Sequence, residues 1–102
     1  MTRKENADII LGDVEWDADK EQENVRKHGY DFREAATIFN DPLARTDSDP
    51  EHSADEQRFR TIGFSAKGNL LRVSHTIRDD RIRIINAYDT APAEREMYEE
   101  EG

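Results

Sequence analysis

Between Arg58 and Arg83 the chain sets six arginines and one lysine against two aspartates, so residues 58–83 carry +5 within a protein whose formal total is −9. The acid lies elsewhere: residues 1–24, 47–57 and 84–102 each sum to −5, and residues 25–46 to +1. A net charge of that sign argues against a general nucleic-acid binder, since phosphate contacts come from Lys and Arg. A local basic block is another matter. Fields between exposed charges fade within a Debye length of about 8–10 Å, so a bound phosphate would feel the block more than the distant acid. Arginine suits the task because its planar fork grips two phosphate oxygens and never loses its charge. Cross-strand ion pairing on a solvated sheet is the plain alternative for each of these arginines.

Proton carriers are few. His28 is the first, because an unperturbed imidazole titrates near pH 6.5, and Lys27 beside it could add a phosphate contact. Both also fit the last turn of a helix, where cations serve the dipole and the free carbonyls. Tyr98 offers a hydroxyl, although its helical spacing from Glu94 suits packing equally well. His75 falls in the apolar phase of its strand with Val73 and Ile77 and reads as a core or rim histidine. Trp16, Phe32 and Phe39 read as core rather than as stacking platforms. The loop Asp47, Asp49, Glu51, His52, Asp55 looks at first like a hard-cation site, but it has His52 where a calcium loop needs Gly and Arg58 where it needs Glu. It reads as a solvated loop. With no cysteine in the chain, a disulfide framework, a Cys zinc site and a thiol nucleophile are excluded. Neither a metal nor a cofactor is expected.

The elements that would hold these residues follow from periodicity. A length of 102 residues allows one domain. Residues 1–12 read as a loose leader, although Ile9, Ile10 and Leu11 could dock as an edge strand; residues 13–102 form the domain. Val14-Glu15-Trp16 alternates as a short strand. Asp17 can cap a helix over Ala18–His28 that Gly29 stops. Asp31 and Glu34 have capping-box spacing for a second helix bearing Phe32, Ala35, Ala36 and Phe39, ended by Asp41-Pro42. From Leu43 the period changes to two: Leu43–Thr46, Arg58–Phe64, Leu70–Ile77 and Arg81–Tyr88 read as strands, the last three as an antiparallel meander joined by hairpin-length loops. Leu71, Val73, Ile82 and Ile84 should face the helices, and Arg72, Arg81 and Arg83 the other side. Pro92 opens a terminal helix. The expected fold is α+β, in the order β-α-α-β-β-β-β-α, with a central antiparallel sheet and helices on one face. Only 34% of residues are hydrophobic and 38% are charged, so the core is thin and a partner that covers apolar surface is expected, on a strip near the terminal helix or a sheet edge. The opening MTRKENADIILGD lacks the apolar region of a signal peptide, and no run of 18 apolar residues occurs, so a soluble cytoplasmic protein away from membranes is expected.

Taken together, VEWDADKEQENVRKHGYDFREAATIFNDPL, DEQRFRTIGFSAKGNLLRVSHT and IRIINAYDTAPAEREMYEE resemble the BrnT toxin family from Val14 onward. The matching elements are Trp16-Asp17, Asn24 with Lys27-His28-Gly29, Phe32, Ala35, Phe39, Asp41-Pro42, Glu56 with Arg58, Ile62-Gly63, Thr76 with Arg78, Ile82-Arg83-Ile84-Ile85, and Glu94-Arg95 with Tyr98. The resemblance implies a RelE-like fold and a metal-independent endoribonuclease acting as the toxin of a type II toxin-antitoxin system, which inhibits translation. It also implies a BrnA-type antitoxin encoded next to the toxin, through which alone operator DNA is bound; the stoichiometry stays open, with a 2:2 hetero-oligomer among the arrangements allowed.

Such cleavage needs a base for the 2′-hydroxyl, an acid for the leaving 5′-oxygen and cations on the phosphorus, where negative charge grows. Family-matched positions inside the basic block make Arg58, Arg78 and Arg83 the cation candidates, with His28 and Tyr98 as proton carriers and Lys27, Arg60, Arg72 and Arg81 as RNA contacts. The chain departs from the family at Asn86-Ala87-Tyr88, where members usually read Ser-Ala-Arg. Two readings therefore stand: an active endoribonuclease, or a weakened homologue that persists as an antitoxin-binding corepressor of its own operon.

Overall fold

The computed structural model describes residues 8–101. Its elements are β1 (Asp8–Leu11), β2 (Val14–Asp17), α1 (Ala18–His28), α2 (Phe32–Ala36) running on into a 3-10 turn (Thr37–Asn40), β3 (Arg45–Ser48), β4 (Arg58–Phe64), β5 (Leu70–Arg78), β6 (Arg81–Asp89) and α3 (Pro92–Glu101). A short 3-10 turn (Pro50–His52) interrupts the acidic loop. The α+β class and the expected order hold, with one strand added at the start. Residues 8–11, read as part of a loose leader, form that strand, because Ile9 lies opposite Trp16 and adds apolar cover to the core; residues 1–7 of the leader lie outside the described residues. β3 starts two residues later than expected. Asp41 holds the chain in a turn first, its Oδ1 accepting from the Leu43 N–H at 2.9 Å and its carbonyl from the Ala44 N–H at 3.0 Å.

Local chemistry sets the helix ends. Asp17 Oδ1 accepts from the Asp19 N–H at 2.8 Å, and Gly29, at φ 83°, closes α1 with its N–H on the Val25 carbonyl. Asp31 caps α2 by accepting from the Glu34 N–H at 2.7 Å. Glu34 does not return the bond. Instead its buried carboxylate accepts from Ser65 Oγ and Asn69 Nδ2, both at 2.7 Å, and fastens the β4–β5 hairpin to the helix layer.

One six-stranded sheet runs in the order β1-β2-β6-β5-β4-β3, with every neighbouring pair antiparallel except β2 with β6. That parallel pair is short. Val14 and Glu15 lie beside Ile82 and Arg83, and the chain then leaves β2 for α1. Trp16, Phe32, Ala35 and Ile38 pack against Leu71, Val73, Ile84 and Ala87 in a single core, and each large side chain so buried contributes about 1.5–3 kcal/mol. Gly63 allows the close approach of the 3-10 turn to β4: a Cβ there would lie 3.1 Å from Ala44 Cβ and 3.2 Å from the Ile38 carbonyl. At the end of β4, Tyr98 of α3 meets Phe64 edge-on and donates to Asp41. No helix among the described residues is long and apolar enough to cross a membrane.

A slip in β6 alters the face pattern. Ser74 pairs with Asn86 but His75 pairs with Ile84, which leaves Ile85 as an extra residue in a bulge. Strict alternation from Ile82 and Ile84 would carry residues 86 and 88 into the core. The bulge shifts the phase, so Ala87 is the buried residue, and Asn86 and Tyr88 stand on the open face beside Ser74 and Arg72.

Candidate functional site

Where β2 turns away, α1 takes over the edge of β6. Asn24, 4% exposed, donates through Nδ2 to the carbonyls of Ala87 (2.8 Å) and Tyr30 (3.0 Å) and accepts through Oδ1 from the Ala87 N–H (3.0 Å). Its amide thus serves β6 as a neighbouring strand would. One helical turn on, His28 lies over Tyr88 with ring centroids 5.1 Å apart and planes inclined by 28°. Arg72, the cross-strand partner of Tyr88, places its guanidinium carbon 5.2 Å from the same ring, and its Nε lies 3.5 Å from Glu94 Oε2. Beside this stack a cleft of about 160 Å³ is lined by Lys20, Lys27, His28, Ile85 and Asn86, among others.

From this edge the open face extends across three strands. Its rows, by register, are Tyr88, Arg72 and Ile62; Asn86, Ser74 and Arg60; and Arg83, Thr76 and Arg58. Arg72 Nε, Arg58 Nε and Asn86 Oδ1 are buried and have no hydrogen-bond partner among the described residues. Out of reach of solvent, each such atom carries a desolvation cost of about 1–3 kcal/mol that the rest of the fold offsets.

The candidate arginines divide by their partners. Arg58, Arg78 and Arg83 do share the open face around Thr76, but His28 is not at their rim: four residues of β5, about 13 Å, separate the Thr76 row from the Arg72 row. Arg83 donates to Asp8 at 2.9 and 3.1 Å and to Glu15 at 2.8 Å. Its bond to Asp8, helped by Glu15 and against the effect of burial, raises its pKa further still, while Asp8 is held below the usual carboxylate range by the same bond. Arg78 grips Glu56 at 2.9 and 3.1 Å. Lys27 is exposed and 3.5 Å from Glu23. Arg58, Arg60 and Arg81 have no carboxylate partner among the described residues. Tyr98, one helical turn beyond the Glu94 that pairs with Arg72, is buried, with its hydroxyl 2.6 Å from Asp41 Oδ2. Burial and that bond push it up to about 12. Burial opposes the charge on Asp41, yet hydrogen bonds from Tyr98, Phe64 and Leu43 outweigh it and keep the carboxyl low. Tyr98 therefore anchors α3. Among the described residues no three His, Asp or Glu side chains are grouped as metal ligands would be.

Sequence reasoning missed the edge clamp of Asn24, the place of Asn86 on the face and the contact of both His28 and Arg72 with Tyr88. The adjacent pair Ile84-Ile85, which breaks a period of two, is the signal that could have announced the bulge. Asn24 was marked only by the family resemblance, because a buried amide in a charged helix looks solvent-facing by composition.

The model of a family described as the ribonuclease toxin, BrnT, of type II toxin-antitoxin systems matches residues 16–94. The chain belongs to this BrnT family. Family membership makes it a toxin of the ribonuclease kind and implies an antitoxin partner. The crystal structure of the Brucella abortus ribonuclease toxin BrnT shares the fold, with a TM-score of 0.58 and 23% sequence identity over 74% of this chain and 92% of that one. No curated protein sequence matches the chain. The BrnT match begins at Trp16, so β1 with Asp8 lies outside it.

Proposed function

We propose that the chain cleaves RNA without a metal, on the open face of β4, β5 and β6, and that a BrnA-type antitoxin neutralises it in the cytoplasm. The observation that carries this reading is that the His28 imidazole and the Arg72 guanidinium both contact the Tyr88 ring, which puts a proton carrier and a phosphate-gripping cation at one edge of the β4–β6 face. His28 exchanges the proton of the 2′-hydroxyl or the leaving 5′-oxygen. Arg72 meets the charge that grows on the phosphorus. Arg58, Arg60 and Lys27 follow the neighbouring phosphates. Arg78 and Arg83, tied to carboxylates, mainly hold the frame.

The antitoxin is proposed to cover the apolar row that the helices leave open. Leu11, Val14, Ile82 and Ile77 lie side by side across four strands, Leu11 and Ile77 are 43% and 50% exposed, and a groove of about 400 Å³ continues over Ala36 and Phe39. Asp13, Asp79 and Asp80 flank the row in the adjoining turns and have no ion-pair partner among the described residues, so an apolar segment with basic flanks fits it. Operator DNA is reached through that partner.

The neutralised state of Arg78 and Arg83 favours a second reading, a weakened toxin that serves as corepressor with its antitoxin. The test is cleavage of single-stranded RNA in chelator by the purified protein and by the His28→Ala and Arg72→Ala variants. Cleavage that both substitutions abolish supports the enzyme. If none of the three proteins cleaves and the antitoxin complex still binds its operator, the corepressor reading replaces it.

A further inference from the structure

We infer that Tyr88 is a positioning residue whose ring sets the imidazole of His28 and the guanidinium of Arg72 in working register. This rests on the cleavage reading above. His28 is exposed in the last turn of α1 and has no hydrogen bond of its own among the described residues, so its ring contact with Tyr88 is what limits its rotamers. Arg72 lies over the same ring, with one ion pair, to Glu94 at 3.5 Å, and no hydrogen bond at its Nε. The platform itself is firm. Tyr88 is half-buried, the bulge at Ile85 turns it to the open face, and Asn24 grips both backbone polar groups of Ala87, the residue before it. The same helix that holds Ala87 through Asn24 delivers His28 one turn later. The clamp and the stack therefore place the imidazole from two sides. The Tyr88 hydroxyl has no partner among the described residues, which assigns the task to the ring and not to the oxygen.

Two variants separate this role from simple packing. In Tyr88→Leu the ring-current shifts of the His28 imidazole protons should collapse toward free-histidine values, and kcat should fall about 10- to 100-fold, the scale of a displaced catalytic group. KM should change by less than about threefold, since substrate binding is left to the other arginines. Tyr88→Phe should keep both the shifts and kcat within about twofold of the unsubstituted protein. His28 signals that stay unchanged in Tyr88→Leu would overturn the inference by themselves. So would an equal loss of kcat in the Phe and Leu variants, which would give the role to the hydroxyl, or a rise in KM with kcat intact, which would make Tyr88 a binding residue. If the unsubstituted protein does not cleave RNA, the cleavage reading fails first and this inference falls with it.

Discussion

An arginine on a sheet face can bind a ligand's phosphate or a neighbour's carboxylate, and the groups around it decide which. Arg72 has a ring beneath it, a buried Nε without a hydrogen-bond partner and one carboxylate at 3.5 Å. Arg78 has both oxygens of Glu56 within 3.1 Å and is largely solvent-facing. Truncating Arg72 to alanine should therefore lower kcat/KM by about 100- to 1000-fold, the loss expected when one donor to a growing anionic charge is removed. Arg78→Ala should leave cleavage nearly unchanged and cost no more than about 1 kcal/mol in urea denaturation, as exposed ion pairs do. Equal losses of activity in the two variants would count against the placement of the site at Tyr88. Arg83 is a third case, since its removal strands two carboxylates at the β1–β2 end of the sheet and should appear mainly as lost stability.

Elements in this fold are joined by a few buried polar contacts, and two of them can be tested. Asn24 fastens α1 to β6 through two hydrogen bonds with Ala87 and to the following loop through a third, with the Tyr30 carbonyl. Asn24→Ala leaves backbone groups of Ala87 unpaired in the interior and should destabilise the protein by roughly 2–4 kcal/mol, measured by urea unfolding at neutral pH. A loss below about 0.5 kcal/mol would show that water replaces the amide there. His75 joins β5 to β4 and the 3-10 turn: it is 4% exposed, stacked 5.7 Å from Phe59, edge-on 5.1 Å from Phe39, and 2.7 Å through Nε2 from Thr61 Oγ1. Burial lowers its pKa to about 4 from an ordinary value near 6.5. Between those two values the unfolded chain takes up a proton that the folded chain refuses. Stability is thus fully present above about pH 6.5 and declines as the pH falls toward 4, by up to about 3 kcal/mol for this group. The urea midpoint should follow that window, and a His75→Leu variant should flatten it. Asp8 and Asp41, held low, add their own loss only below the ordinary carboxylate range.

At the scale of the molecule, a thin core and an uncovered apolar row point to a chain that is completed by its partner. Ile10, Leu11, Leu43, Ile77 and Met97 are each more than two-fifths exposed, and covering part of that surface stabilises the folded state through mass action alone. With the antitoxin at about 100 times its Kd the gain is about 2.7 kcal/mol, and in a domain of this size each kcal/mol raises Tm by roughly 4–8 °C. A thermal scan with saturating antitoxin should therefore show a rise of about 10 °C or more. Leu11→Asp or Ile77→Asp should weaken the complex while leaving cleavage by the free protein intact. If those substitutions leave affinity unchanged, the antitoxin docks elsewhere.

Much of this was legible from residue order because the forces behind it are local. Asp17 and Gly29 bound α1 by capping chemistry, Asp31 starts α2, the period of two locates β4, β5 and β6, and the two-residue turn at Asp79-Asp80 closes their last hairpin. The family resemblance was legible as well, and the family model matches residues 16–94. The pairing of proton carrier with cation was not. His28 and Tyr88 are sixty residues apart, and their meeting depends on a one-residue slip at Ile85 and on an asparagine that stands in for a strand. Likewise nothing local told Arg83 from Arg72. Both lie in strands on the face opposite the core, yet the N-terminal hairpin brings two carboxylates to the first, while α3 brings one to the second and α1 brings an imidazole to the ring on which it rests. Periodicity assigns a residue to a face of the sheet, but only packing decides which neighbours share that face.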